Sequence, residues 1–150
     1  AASDVYKRQS LFKLLQQAAK TSDPTGENIT ISVPTDNIPI FPIQVQSIRR
    51  ALINLFTNAI RYAGKANAQI QIFDDHSEII IDDNGPGIPR DKRDEVVLPF
   101  TRLENSRNIK TGGTGLGLSI AKNSALNHGG ELILEDSPLG GLRVRLLLPL

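Results

Sequence analysis

The sequence contains no cysteine, no methionine and no tryptophan. Without cysteine, a disulfide scaffold and a thiolate metal site are both excluded, and a reducing compartment such as the cytoplasm is permitted. Without methionine, Ala1 is not a translation start as written, so the chain is expected to be a piece of a longer protein. Charge of either sign is also not in excess. Lys and Arg number 17 against 16 Asp and Glu, a net charge of +1, which provides no broad basic field for nucleic acid or an anionic membrane. No run of eighteen apolar residues occurs, and the first twenty residues carry no signal-peptide-like apolar block, so no membrane-crossing helix is expected here. At 150 residues and 39% hydrophobic content the chain can bury one core, and a single α/β or α+β unit is the expectation.

Residues 1–9 show no clear periodicity. Leu11, Leu14, Leu15 and Ala18 then recur at the spacing of one helix face and predict an amphipathic helix ending before Asp23 and Pro24. Ile29, Ile31 and Val33 alternate with polar residues like a half-buried strand. A short extended stretch near residues 38–41 follows a turn at Asp36 and Asn37, and the two pieces read as a hairpin at a sheet edge, where Pro39 and Pro42 are tolerated. From about 45 to 62, Ile48, Ala51, Leu52, Leu55, Phe56, Ala59 and Ile60 share one helical face, the mark of a core helix. Ile70 and Ile72, then Ile79, Ile80 and Ile81, predict two strands joined as a hairpin across residues 74–77. After a Gly/Pro turn at 85–89 comes a charged, poorly periodic stretch reaching Gly113, a length that in a compact domain usually belongs to a functional loop. A helix over about 116–127 stops at Gly129 and Gly130, and strands near 131–135 and 142–148 close the chain.

Three segments carry candidate chemistry. On the core helix, Asn54, Asn58 and Arg61 fall at i, i+4 and i+7 and form one polar stripe, with Tyr62 at its edge. The stripe is either a solvated face or a place where an amide oxygen, a hard neutral ligand, meets Mg²⁺ and a guanidinium meets phosphate. Tyr62 is either boundary packing or a platform for a base. Next, Asp83-Asn84-Gly85-Pro86-Gly87-Ile88 follows a strand. It is either a plain turn or a tight backbone approach to a ligand, with a carboxylate able to accept from an exocyclic amine. Finally, Gly112-Gly113-Thr114-Gly115-Leu116-Gly117-Leu118 opens a helix. It is either a flexible hinge or an anion site made of backbone N–H groups, and it is no Walker loop because no lysine follows the glycines. Between the last two segments lies Pro99-Phe100-Thr101-Arg102, an apolar anchor in the charged stretch.

Taken in order, N-x-x-x-N-A-x-R-Y, D-x-G-x-G-I, P-F-x-R and G-G-T-G-L-G-L resemble the ATP-binding catalytic domain of sensor histidine kinases, within the gyrase, Hsp90 and histidine kinase superfamily. The resemblance covers roughly residues 10–150, with 1–9 left as an unassigned N-terminal segment. The run Asp136-Ser137-Pro138-Leu139-Gly140-Gly141-Leu142 and the absence of an acidic residue before the core helix look like the osmosensor EnvZ type.

The resemblance implies a Bergerat-type α/β sandwich, a mixed sheet of about five strands backed by three helices, with ATP between the core helix and a long lid loop. It also implies that Asn58 coordinates Mg²⁺ with Asn54 beside it, that Arg61 contacts phosphate and that Tyr62 packs on adenine. Asp83 would accept the adenine amino proton, with Gly85, Gly87 and Ile88 shaping the base pocket. Phe100 and Arg102 would belong to the lid, and Gly113, Thr114, Gly115, Leu116 and Gly117 to its far end over the phosphates. Two departures from the family pattern stand out: Val97 where an aromatic is often found, and Ser124 in place of an apolar residue on the last helix.

The two histidines lie outside the H-E or H-D helix context of a phospho-acceptor. His76 sits in a turn beside two aspartates, and His128 sits at a helix C-terminus, where an imidazolium would suit the dipole. The acceptor is therefore expected on a dimerising helical hairpin of the same protein, a homodimer when full length. A response regulator is expected downstream, and the domain itself on the cytoplasmic side of a bacterial inner-membrane sensor. Two rivals are a hydrolytic or serine-phosphorylating member of the superfamily, in which a glutamate usually replaces Asn54, and a degenerate module that only scaffolds.

Overall fold

The computed structural model describes residues 6–32, 40–98 and 117–150. Their elements run β1 (Tyr6–Ser10), α1 (Leu11–Ser22), β2 (Ile29–Ser32), β3 (Ile40–Gln44), α2 (Val45–Tyr62), β4 (Ala66–Ile72), β5 (His76–Asp83), α3 (Arg93–Val96), α4 (Gly117–Asn127), β6 (Glu131–Asp136) and β7 (Leu142–Pro149). Five strands form one mixed sheet in the order β2-β4-β5-β7-β6, in which β2 runs parallel to β4 and the other pairs are antiparallel. The five-stranded α/β sandwich that the resemblance implies is present.

Alternation along the strands decides which face the helices cover. Ala68, Ile70, Ile79, Ile81, Val144 and Leu146 face one way and join Leu14, Leu15, Leu52, Leu55, Phe56, Leu118 and Ala121 in a single core. Helix α2 lies between α1 and α4 and turns Ile48, Leu52, Phe56 and Ala59 inward, each buried. Burying one such large apolar side chain is worth roughly 1.5–3 kcal/mol. That periodicity explains why α2 begins and ends where the sequence pattern places it.

Two expectations are corrected. Strand β2 forms no hairpin with the next strand. It pairs with β4, and β3 pairs antiparallel with β1 in a separate two-stranded sheet, from Tyr6 opposite Gln44 to Ser10 opposite Ile40. A parallel β2–β4 pair needs a long crossover, and α2 supplies it. Local alternation cannot reveal this, because the partner lies more than thirty residues away. Strand β1 itself falls in the stretch without periodicity. The second correction concerns the charged stretch after Pro89, which is not loop from its start: Arg90–Lys92 form a 3₁₀ turn and α3 follows, seating Val96 in the core with Val97 packed against it.

Side-chain hydrogen bonds tie the ends of these elements. Asp23 Oδ2 accepts from the N–H groups of Asn28 at 2.8 Å and Ile29 at 2.9 Å, ending α1 and starting β2. Those bonds, the one from Asn28 first, hold its carboxyl below the usual range. Helix α4 is latched to the start of α2. Ser47 and Ser124 share a hydroxyl hydrogen bond of 2.6 Å, and the His128 ring lies between two backbone groups. Its Nε2 accepts from the Gln44 N–H at 3.0 Å while Nδ1 donates to the Ser124 carbonyl at 2.8 Å. Both ring nitrogens are thus engaged by backbone groups, and the ring ties the end of α4 to the residue before α2. Ser124 is thus accommodated as half of a hydroxyl pair.

The other face of the sheet is polar but not open. Along β5, Glu78, Ile80 and Asp82 are only 3%, 3% and 2% exposed. Arg143 grips Asp82 with two hydrogen bonds of 2.7 and 2.9 Å, and Arg145 grips Glu78 with two of 3.2 and 2.6 Å. Paired guanidinium planes of this kind satisfy buried carboxylates. At the end of this row, His76 meets Asp75 through Nδ1 at 2.6 Å and Glu78 through Nε2 at 3.2 Å, and stacks on Phe73 with ring centroids 4.6 Å apart. The bond to Asp75 is the main reason that the imidazole pKa is raised, with Glu78 adding to it. Burial alone would push the Glu78 carboxyl up, but Arg145 and His76 outweigh it and leave it lowered.

Two outcomes follow from these contacts. Ser47→Ala leaves the buried Ser124 hydroxyl without its partner and should cost about 1 kcal/mol, whereas Ser47→Ala with Ser124→Ala should cost less than the sum of the single changes in urea denaturation. A fully additive cycle would remove the pair from the account. For His76, a folded pKa above the unfolded value gives stability that is complete below about 6.5 and disappears as pH rises through the folded value. Stability should therefore decline as pH rises above 6.5 in the unaltered chain, and this decline should be absent in His76→Gln. The same decline in both would place its origin elsewhere.

Candidate functional site

Helix α2 presents Asn54, Asn58, Arg61 and Tyr62 as one half-buried stripe beside its buried face. Asn54 Nδ2 donates to the Arg50 carbonyl at 2.9 Å, which leaves its Oδ1 as acceptor. No hydrogen bond engages the Asn58, Arg61 or Tyr62 side chains among the described residues. Gly117, the first residue of α4, lies beside Asn54. A Cβ built there would stand 3.9 Å from Asn54 Cβ and 4.0 Å from Oδ1, ordinary contact distances. The structure therefore brings the start of α4 to the polar stripe, and crowding is not what makes residue 117 a glycine.

Asp83 closes β5 and is 8% exposed. Its Oδ1 accepts two backbone N–H bonds, from Gly85 at 3.0 Å and from Leu142 at 2.9 Å. Among the described residues nothing bonds to Oδ2. The turn that follows is wedged onto the end of α2. A Cβ on Gly85 would stand 2.8 Å from Ala63 Cβ and 3.2 Å from the Tyr62 carbonyl oxygen, so only glycine fits. Gly87 has φ of +72°, and a Cβ there would meet the Gly141 carbonyl oxygen at 3.4 Å. Ile88 packs against the core, and its carbonyl accepts from Arg93 Nε at 3.1 Å. Arg93 also pairs with Asp136 at the end of β6.

Of the predicted residues, Asn54, Asn58, Arg61 and Tyr62 lie along α2, the turn of Asp83, Gly85, Gly87 and Ile88 rests through Gly85 on the end of that helix at Tyr62 and Ala63, and Gly117 lies beside Asn54. Phe100, Arg102, Gly113, Thr114, Gly115 and Leu116 lie outside the described residues. Two participants escaped the sequence reading. The Gly141–Leu142 peptide reaches Asp83 from 59 positions along the chain, and Arg93 ties the turn to β6. The Gly140-Gly141 pair was the available signal for the first, and nothing in the local pattern pointed to the second. A separate open cleft of about 820 Å³ lies between Arg90, Val97, Lys122 and the β6 edge and contains none of the predicted site residues. Among the described residues no cluster of His, Cys, Asp and Glu could hold a metal by itself, so a cation here would depend on neutral oxygens and on a ligand of its own.

Comparison with known proteins agrees with this fold. The sequence profile of the histidine kinase-, DNA gyrase B- and HSP90-like ATPases matches residues 43–150. The sensor histidine kinase CpxA of Escherichia coli K12 is 35% identical over 150 residues, covering 99% of this chain and 33% of CpxA, so the chain spans about a third of that relative. Among solved structures, the ATP binding domain of PrrB from Mycobacterium tuberculosis superposes with a TM-score of 0.76 at 29% identity, covering 96% of each chain. The histidine kinase domain of the E. coli osmosensor EnvZ superposes with a TM-score of 0.73 at 29% identity, covering 97% of this chain and 89% of that one. With this sheet, this core helix and these turns in the matched region, the chain belongs to the family of histidine kinase-, DNA gyrase B- and HSP90-like ATPases.

Proposed function

We propose that residues 10–150 are the catalytic domain of a sensor histidine kinase, binding ATP with Mg²⁺ and passing the γ-phosphate to a histidine on a separate dimerisation domain. The observation that carries this reading is the Asp83 carboxylate, clamped through one oxygen and unengaged at the other among the described residues, with the turn that follows it resting on the end of the helix that carries the asparagine stripe. An acceptor held in this way suits the exocyclic amine of adenine.

The residues fit such a ligand. Gly85 and Gly141 keep the backbone close where any Cβ would collide. Asn58 offers a hard neutral oxygen to Mg²⁺, and Arg61 offers a cation to phosphate that is not consumed by an ion pair among the described residues. When bound, Mg²⁺ supplies charge neutralisation on the phosphates. The chain's own part is to position: Asp83 fixes the base, Tyr62 provides a face beside it, and Asn54, Asn58 and Arg61 hold the phosphate end. The lid is assigned to Phe100, Arg102 and the segment from Gly113 to Gly117.

Support for a kinase over a hydrolase comes from Asn54. An amide whose nitrogen already donates to Arg50 has no basicity with which to activate water, so hydrolysis by the chain alone should be slow. A neutral histidine nitrogen is already a nucleophile at pH 7 and needs no such base. Neither histidine here serves as acceptor in this reading, since His128 is held between two backbone groups and His76 between two carboxylates. The remaining partners would be a response regulator and, in the full-length homodimer, the second subunit. The domain would sit on the cytoplasmic side of a bacterial inner-membrane sensor.

With radiolabelled ATP and Mg²⁺ the chain alone should stay unlabelled and should label a matching dimerisation domain added in trans. Asn58→Ala should reduce that labelling at least tenfold, while its melting temperature stays within a few degrees of the unaltered chain. Rapid ATP turnover without an acceptor, or stable label on His76 or His128, would contradict the assignment.

A further inference from the structure

Two adjacent glycines before β7 differ in what makes them glycine. Gly140 has φ of +99° with nothing within 4 Å of where a Cβ would stand, so its backbone conformation accounts for it. Gly141 is outside the left-handed region, and its environment is crowded instead. A Cβ there would stand 2.6 Å from both the Asp83 carbonyl oxygen and the Gly85 nitrogen, and closer still to Asp83 Oδ1. Such distances do not occur between real atoms, so even alanine would displace the carboxylate or the turn beside it. Gly141 is buried, and the next N–H, from Leu142, is one of the two donors on Asp83 Oδ1.

We infer that the Gly141–Leu142 peptide is the positioning element of the base pocket: it fixes the rotation of the Asp83 carboxylate and so sets the preference for a purine bearing an amine at its six position. The inference rests on the reading that Asp83 accepts from that amine.

An aspartate carboxyl rotates in a broad, two-fold well and has no strong preference of its own. Two N–H donors converging on one oxygen remove that freedom, and they come from opposite sides: Gly85 from the turn after β5, Leu142 from the start of β7. Because β5 and β7 are paired, with Asp82 opposite Arg143, the second donor is held by the sheet. The bidentate Arg143–Asp82 pair on the other sheet face clamps the same two positions together. Oδ2 is then presented without rearrangement, and the ordering cost is met in folding and not at binding. Gly141 is a positioning residue, since it acts through Asp83 and makes no claim to touch the nucleotide.

The test compares ATP with purine riboside triphosphate, which lacks the six-amino group, by calorimetry with Mg²⁺. The unaltered chain should bind ATP about ten- to a hundredfold more tightly than the analogue, the worth of one charge-assisted hydrogen bond. In Gly141→Ala, ATP affinity should fall to that of the analogue while analogue affinity changes little, so that the ratio collapses toward one. A merely structural role would weaken both ligands equally and preserve the ratio, which would overturn the inference. Should Gly141→Ala fail to fold, a backbone ester at position 142 deletes the Leu142 N–H without adding bulk, and the same collapse is expected. Asp83→Asn is the control for the underlying reading. If the unaltered chain fails to discriminate, or Asp83→Asn discriminates as well as it does, the reading of Asp83 fails, and the inference with it. If both behave as expected but Gly141→Ala, or the ester where that variant does not fold, keeps the ratio, the inference alone fails.

Discussion

A carboxylate taken out of water must be repaid by hydrogen bonds, and Asp83, 8% exposed, receives two on one oxygen from backbone groups far apart in sequence. That constraint organises its surroundings. The Gly85 donor requires the turn to rest on Ala63 at the end of α2, which only glycine permits. The Leu142 donor requires β7 to start against the carboxylate, which only glycine at 141 permits. Arg93 then braces the turn from the other end by joining the Ile88 carbonyl to Asp136 on β6. The polar stripe of α2 and the acceptor oxygen therefore keep a fixed relation, because the helix, the turn and two strands meet at one side chain.

The two faces of the sheet divide the labour. The helix side is apolar and continuous from Leu14 on α1 through Phe56 on α2 to Ala121 on α4. On the other side the central strand buries Glu78, Ile80 and Asp82 beneath arginines of β7, so a face that no helix covers among the described residues still excludes water from its middle. The two histidines have structural contacts elsewhere. His76 serves the edge of the ion-pair row, and His128 fastens the end of α4 to the start of α2. Because α4 begins beside Asn54 and ends at this latch, its position over the α2 stripe is set at both ends.

What the sequence made legible was what local spacing encodes. The apolar face from Val45 to Tyr62, the alternation of β4 and β5, and the glycines of the turn each carry their meaning within a few residues, and the asparagine stripe follows from helix geometry alone. Pairings between distant segments were not legible. The partner of β2 is β4, reached only after a whole helix, and β1 owes its strand to β3. The same limit hid Leu142 and Arg93, whose contributions are a backbone N–H and a long side chain reaching across the fold. Ser124 looked like a flaw in an apolar position until its hydroxyl partner, 77 positions away on α2, was in view.

If nucleotide enters between the α2 stripe and the Asp83 turn, amide NMR of the isotopically labelled chain titrated with Mg²⁺ and a non-hydrolysable ATP analogue will register it at named positions. Saturable shifts are expected at the Gly85 and Leu142 amides and at the Asn58 side-chain amide, with Arg90 and Lys122 beside the separate β6 cleft little affected. Shifts confined to that cleft, or saturation without any response from Gly85 and Leu142, would contradict that placement.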